Sequence, residues 1–187
     1  MAIKIYVDQG HNPVNPNAGA EGNGLREQDI TYRVGQELAA LLRADPAYEV
    51  RLSRPTADTQ LGTSLNSSLQ ARVSEANAWG ADYFISLHTN ASEIRSATGT
   101  EAFVYSRTGE AYSLAQDIVR GVTDVTGLPD RGTFVRSGLY VLRKTAMPAV
   151  LVELGFITNP GDAALMDQNP QLFAQGVYQG IRNYTGE

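Results

Sequence analysis

Apolar residues fall along this chain in two alternating rhythms. Six short runs bounded by turn residues, at 3–8, 49–53, 82–88, 100–105, 139–142 and 149–154, predict strands. Between several of them the apolar positions recur every three or four residues instead. From Glu27 to Ala44, Ile30, Val34, Leu38, Leu41 and Leu42 share one face of a helix. A second helix is predicted over 64–79 from Leu65, Leu69, Val73 and Ala76, with Gly80 as its stop. A third covers 110–126, with Ala115, Ile118, Val119, Val122 and Val125 on its face and Gly127 at its end. Asn159-Pro160 and Asn169-Pro170 each read as an N-cap followed by proline in the first helical turn, so two more helices close the chain.

Strands alternating with helices, several strands being too apolar to have a wet face, predict an α/β fold. The expectation is a single domain over 1–187, with a mainly parallel open twisted sheet of about six strands flanked by helices on both faces. No repeat, low-complexity stretch or linker divides it. Loops are expected at 9–26, 54–63, 90–99 and 127–138. In such sheets ligands collect at the carboxyl edge of the strands, which is where chemistry is sought first.

Composition narrows the classes. Of 187 residues, 42% are hydrophobic and 19% charged, the balance of an ordinary globular domain with a sizeable core. The net charge of −5 arises from 20 acids and 15 bases spread along the chain, with no basic tract suited to nucleic acid. The absence of cysteine excludes disulfides, thiolate metal sites and a cysteine nucleophile. Met1-Ala-Ile-Lys-Ile-Tyr-Val runs straight into a predicted strand, so neither a signal peptide nor a membrane-inserting span is expected. Gly-x-Ser-x-Gly is absent, which disfavours a serine hydrolase.

The only two histidines, His11 and His88, lie at or just past the carboxyl ends of predicted buried strands. Either alone could simply satisfy a local hydrogen bond. Together they suit a metal, because imidazoles on neighbouring strand ends can share a crevice without being close in sequence. A tetrahedral catalytic zinc needs a third protein ligand, and Glu27, opening the first helix, is a candidate. Glu21 and Asp29 are rivals from the same region, and Glu27 could equally be a first-turn acid complementing the helix dipole. In Pro148-Ala-Val-Leu-Val-Glu153 a carboxylate follows four apolar residues, a setting where an idle acid is costly and a raised pKa would suit a general base and acid.

Lesser features carry less. Asn90 could donate to a substrate or steady its loop. Arg72 reads as a structural ion-pair former, Trp79 as packing at a helix end, and Arg143 is ambiguous. The glycines of 19–24 lack dinucleotide or P-loop spacing.

Val7-Asp-Gln-Gly-His11, followed by Gly19-Ala-x-Gly22-x-Gly24-x-x-Glu27, resembles the opening signature of the zinc N-acetylmuramoyl-L-alanine amidases. Leu52-Ser-Arg54, Ala71-Arg72, Ala76-Asn77, the segment Ala81 to Ala91, Tyr140-Val-Leu-Arg143 and Pro148 to Pro160 resemble the same family in order, over almost the whole chain. The resemblance implies His11, Glu27 and His88 as Zn2+ ligands and Glu153 as the catalytic carboxylate. It implies peptidoglycan as substrate, cut between N-acetylmuramic acid and L-alanine, at the cell wall outside the cytoplasm. Rival expectations are a zinc peptidase and a catalytically inactive wall-binding module.

Gln9 stands where the family usually has proline, and Asn12 where it has glycine, so a looser loop before the first ligand is expected. Regulated members insert a blocking helix between the second histidine and the catalytic glutamate. Here that interval is filled by a strand, a helix and a strand, implying an open site.

Overall fold

The computed structural model describes all 187 residues. In chain order it contains β1 (Ile3–Gln9), β2 (Glu21–Gly22), β3 (Leu25–Arg26), α1 (Glu27–Ala44), β4 (Tyr48–Leu52), α2 (Leu65–Trp79), β5 (Tyr83–Asn90) and β6 (Thr100–Val104). Then follow α3 (Glu110–Thr126), β7 (Asp130–Val135), α4 (Tyr140–Lys144), β8 (Ala149–Phe156), α5 (Pro160–Gln168) and α6 (Pro170–Thr185).

Six strands form one sheet in the order β4-β1-β5-β8-β6-β7, every neighbouring pair parallel except β8 and β6. From β1 the chain crosses to β4 on one side and later to β5 on the other. The chain leaving β5 goes on to β6, on the side away from β4, so a switch point lies between the carboxyl ends of β1 and β5. β2 and β3 make a small separate hairpin in the loop after β1.

Period-2 alternation sends successive side chains to opposite faces. Ile5, Val7, Ile85, Leu87, Val150 and Val152 face α1, α3 and α6 in the larger apolar core. Tyr6, Phe84, Phe103 and Leu151 face the smaller cluster under α2 and α4. Asp8, Ser86, His88 and Glu153 keep step with this second set. The polar groups of the site thus lie on the thinly covered face, where only one long helix and one short one shield them.

Local chemistry sets the helix ends. Ser64 and Ser67 form a reciprocal capping box on α2, and Gly80 ends it with φ 67°. Asn159 accepts from the amides of Gly161 and Asp162, capping α5 ahead of its proline. Asn169 holds the N-cap position of α6 without a side-chain cap bond.

Two expectations are corrected. Residues 139–142 are not a strand: Tyr140–Lys144 is a helix whose adjacent Val141 and Leu142 are buried against the smaller cluster. A run of four apolar residues carries no period, so it could not distinguish the two. The sixth strand is β7, inside the expected loop 127–138. It is an edge strand, exposed along most of its length, and shows no apolar alternation for this reason.

Candidate metal centre

The loop after β1 brings His11 over the carboxyl edge with φ 68°, a left-handed conformation unusual for histidine. Arg72 fixes it from α2. Its guanidinium donates to Asp8 Oδ1 at 2.6 Å, to the carbonyls of Gln9 and His11 at 2.7 Å each, and to Asn12 Oδ1 at 3.2 Å. Asp8 also accepts from Ser86 Oγ at 2.7 Å. Burial works against the Asp8 charge, but Arg72 outweighs it and holds the carboxyl below its usual range.

The two departures from the family pattern tie the loop down rather than loosening it. Gln9 is fully buried and accepts from the Arg54 amide at 2.9 Å while donating to the Tyr32 carbonyl. Asn12, also fully buried, donates to the carbonyls of Pro16 and Leu61 and accepts from the Leu61 amide. Side-chain hydrogen bonds replace the rigidity a proline ring would supply.

His11, Glu27 and His88 converge. His11 Nε2 lies 3.1 Å from Glu27 Oε2 and His88 Nδ1 lies 3.2 Å from Glu27 Oε1. The imidazoles meet edge to face, centroids 4.9 Å apart, and one potential ligand atom from each of the three residues falls within 4.8 Å of the others. Asn17 Oδ1, 3.2 Å from His11 Nδ1, orients that ring and leaves Nε2 for the centre. The amides of Ala20 and Thr89 donate to Glu27 at 2.9 Å each. Burial alone would raise the Glu27 pKa, but hydrogen bonds and charge from both histidines hold it well below the carboxylate range. Of its rivals, Glu21 is exposed and Asp29 is turned to Arg26 at 2.8 Å.

This donor set fits a metal cation. Two imidazole nitrogens and a carboxylate are the ligand types that a catalytic zinc takes, and each imidazole stands 3.1 or 3.2 Å from one of the two Glu27 oxygens. Two glycines make room. A Cβ at Gly19 would stand 2.8 Å from both Glu27 Oε2 and His11 Cδ2, and one at Gly10 would stand 2.6 Å from the His88 ring.

Glu153 is the in-register partner of His88 across β5 and β8, and of Glu101 across β8 and β6. Its Oε2 is buried without a hydrogen-bond partner. Burial, and then the Glu27 and Glu101 carboxylates, push its pKa up to about 8. Glu101 in turn accepts from Asn90 at 2.7 Å and Arg131 at 2.9 Å, so Asn90 steadies this corner. A cavity of about 130 Å3 adjoins the histidines, walled by Leu69, Leu139, Tyr140 and Val141 from α2 and the start of α4. The histidine side chains keep 20% and 19% of their surface exposed.

Asn17, the Asp8–Arg72 pair and the Glu101–Arg131 pair were not singled out as a site from sequence. Asp8 could have been, since it is a carboxylate in a buried strand just as Glu153 is. Of the remaining residues, Arg143 is exposed, and Trp79 is half-buried with Lys4 and Arg51 over its ring.

Comparison with known proteins agrees with this geometry. A family model described as N-acetylmuramoyl-L-alanine amidase matches residues 5–183. The N-acetylmuramoyl-L-alanine amidase CwlM of Bacillus licheniformis is 36% identical over 183 residues, covering 97% of this chain and 66% of the relative. An endolysin of Bacillus phage SPP1 is 32% identical, covering 97% of this chain and 65% of the relative. The chain thus spans about two thirds of the length of these curated relatives. The crystal structure of an N-acetylmuramoyl-L-alanine amidase from Clostridium difficile 630 superposes with a TM-score of 0.87 at 29% identity, covering 100% of this chain and 98% of the other. By sequence and by fold, this chain belongs to the N-acetylmuramoyl-L-alanine amidase family.

Proposed function

We propose that this chain hydrolyses the amide joining the lactyl group of N-acetylmuramic acid to L-alanine in peptidoglycan, at the cell wall outside the cytoplasm. The observation that carries the reading is the convergence of two imidazoles and a carboxylate beside Glu153 on the neighbouring strand, whose Oε2 is buried without a partner. His11, Glu27 and His88 would hold Zn2+. Bound there, the ion supplies Lewis acidity to the scissile carbonyl and lowers the pKa of water.

The remaining steps belong to the protein. Glu153 takes the proton of the attacking water and delivers it to the departing alanine nitrogen. Its Oε2 has no competing hydrogen bond and so is free to exchange that proton. Arg72 holds the His11 backbone, Asn17 sets the His11 ring, and Gly10 and Gly19 keep the crevice open.

The test joins metal analysis of the purified protein to an assay for new alanine amino termini released from peptidoglycan, before and after chelation and zinc return. About one zinc per chain with chelator-sensitive release is expected. Release from peptides that lack the muramic acid sugar would replace this reading by a zinc peptidase. A folded protein that binds the wall without zinc and without release would replace it by a binding module.

A further inference from the structure

In a chain of net charge −5, three arginines gather on one surface beside the catalytic corner. Arg107, Arg131 and Arg136, with Phe103, Phe134 and Glu101, line an open groove of about 460 Å3 along β6 and β7. It begins at Glu101, the in-register partner of Glu153, and runs down the same sheet face. Arg131 is neutralised by Glu101 at 2.9 Å. Arg107 and Arg136 are exposed and have no acidic partner. The Arg136 guanidinium lies 5.1 Å from the centre of the Phe103 ring, which holds the charge in place over the groove. Phe134, 44% exposed, packs beside Phe103 and keeps the floor apolar.

We infer that this groove binds the stem peptide on the leaving side of the scissile bond, with Arg136 and Arg107 receiving a free carboxylate carried by the residues after L-alanine. The inference rests on the amidase reading and names the part of the substrate that this surface selects. From Glu153 the path to Phe103, whose ring centre lies 5.1 Å from the Arg136 guanidinium, is one strand spacing sideways, about 4.8 Å, and two residues down β6, about 7 Å. An extended peptide gaining about 3.4 Å per residue covers that path in two or three residues. A guanidinium fork suits a carboxylate at that point, and an uncharged amide there would lose the charge-assisted bonds.

Binding and turnover test it separately. The probes are the tripeptide L-alanyl-γ-D-glutamyl-L-lysine amide, whose one free carboxylate is the α-carboxylate of the D-glutamyl residue, and the same peptide with that carboxylate amidated as well. The proteins are wild type, Arg107→Gln/Arg136→Gln and a control, Arg120→Gln, altered on the opposite sheet face. Calorimetric titration should show wild type and control binding the free-acid peptide at least tenfold tighter than its amide, more weakly as salt rises. The double variant should lose that preference. With the matching muramyl peptides the double variant should raise KM for the free acid while leaving kcat near wild type. Equal binding of both peptides by wild type, or an unchanged preference in the double variant, overturns the inference. A preference in binding without any hydrolysis would uphold the groove and overturn the amidase reading instead.

Discussion

Arg72 and Asp8 form a 2.6 Å ion pair with only 1% and 2% of their side-chain surfaces exposed, and the same guanidinium holds the carbonyl of His11. Truncating one partner leaves an uncompensated buried charge, which costs about 3–5 kcal/mol. Arg72→Ala is expected to lose stability of that order and to bind metal more weakly, because the loop carrying His11 is released. Chemical denaturation and metal titration measure both. Full stability in Arg72→Ala would contradict the role given to this pair.

The Asn17 side chain meets the His11 ring at Nδ1. Removing such an orienting partner typically costs about 10–100-fold in metal affinity or activity. Asn17 also holds φ 73° and donates to Ser68 Oγ at 3.1 Å. Asn17→Ala should therefore lose some stability as well as holding zinc more weakly, the first read by chemical denaturation and the second in competition with a chromogenic chelator.

Glu153→Gln keeps the shape of the side chain and removes its proton chemistry. The zinc content should match wild type while release of alanine termini falls by at least about 100-fold, the range for a lost general acid–base. Hydrolysis retained by the metal-loaded variant would remove Glu153 from the mechanism.

The same substitution has a second consequence in metal-free protein. The Glu153 pKa rises on folding from an ordinary 4.5 to about 8, so the folded state holds the proton more tightly than the unfolded chain. This contribution to stability is complete below about 4.5 and is lost as pH rises through about 8. Glutamine does not titrate. With chelator present, Glu153→Gln should gain on wild type across that window by at most about 1.4 kcal/mol per pH unit, and a pH series of thermal melts would show it.

Helices α3 and α6 touch backbone to backbone. A Cβ at Gly176 would lie 2.5 Å from the Val122 Cα. Gly176→Ala must therefore push two helices apart in the larger core, where overpacking costs about 1–3 kcal/mol. Stability should fall while zinc affinity stays unchanged, since this contact lies across the sheet from the metal centre.

Much of this was legible in sequence because it depends on local periodicity. The α/β class, five of the six strands, the long helices and the placing of both histidines at strand ends follow from spacing and turn chemistry, which neighbouring residues alone impose. The swap between α4 and β7 marks the limit of that signal. Tyr140 to Leu142 has apolar residues but no period, and β7 lies at an edge where nothing enforces apolar alternation.

The candidate site divides in the same way. Residue chemistry and family motifs nominated His11, Glu27, His88 and Glu153. Only tertiary structure turned Glu27 rather than Glu21 or Asp29 toward the imidazoles, because that depends on where the loop after β1 folds back. It alone joined Arg72 to Asp8 across 64 positions and Glu101 to Arg131 across 30. Sequence by itself determined which groups were available and on which elements they sit. Sheet order and register decided which of them meet, because strands distant in the chain become neighbours only when the whole sheet assembles.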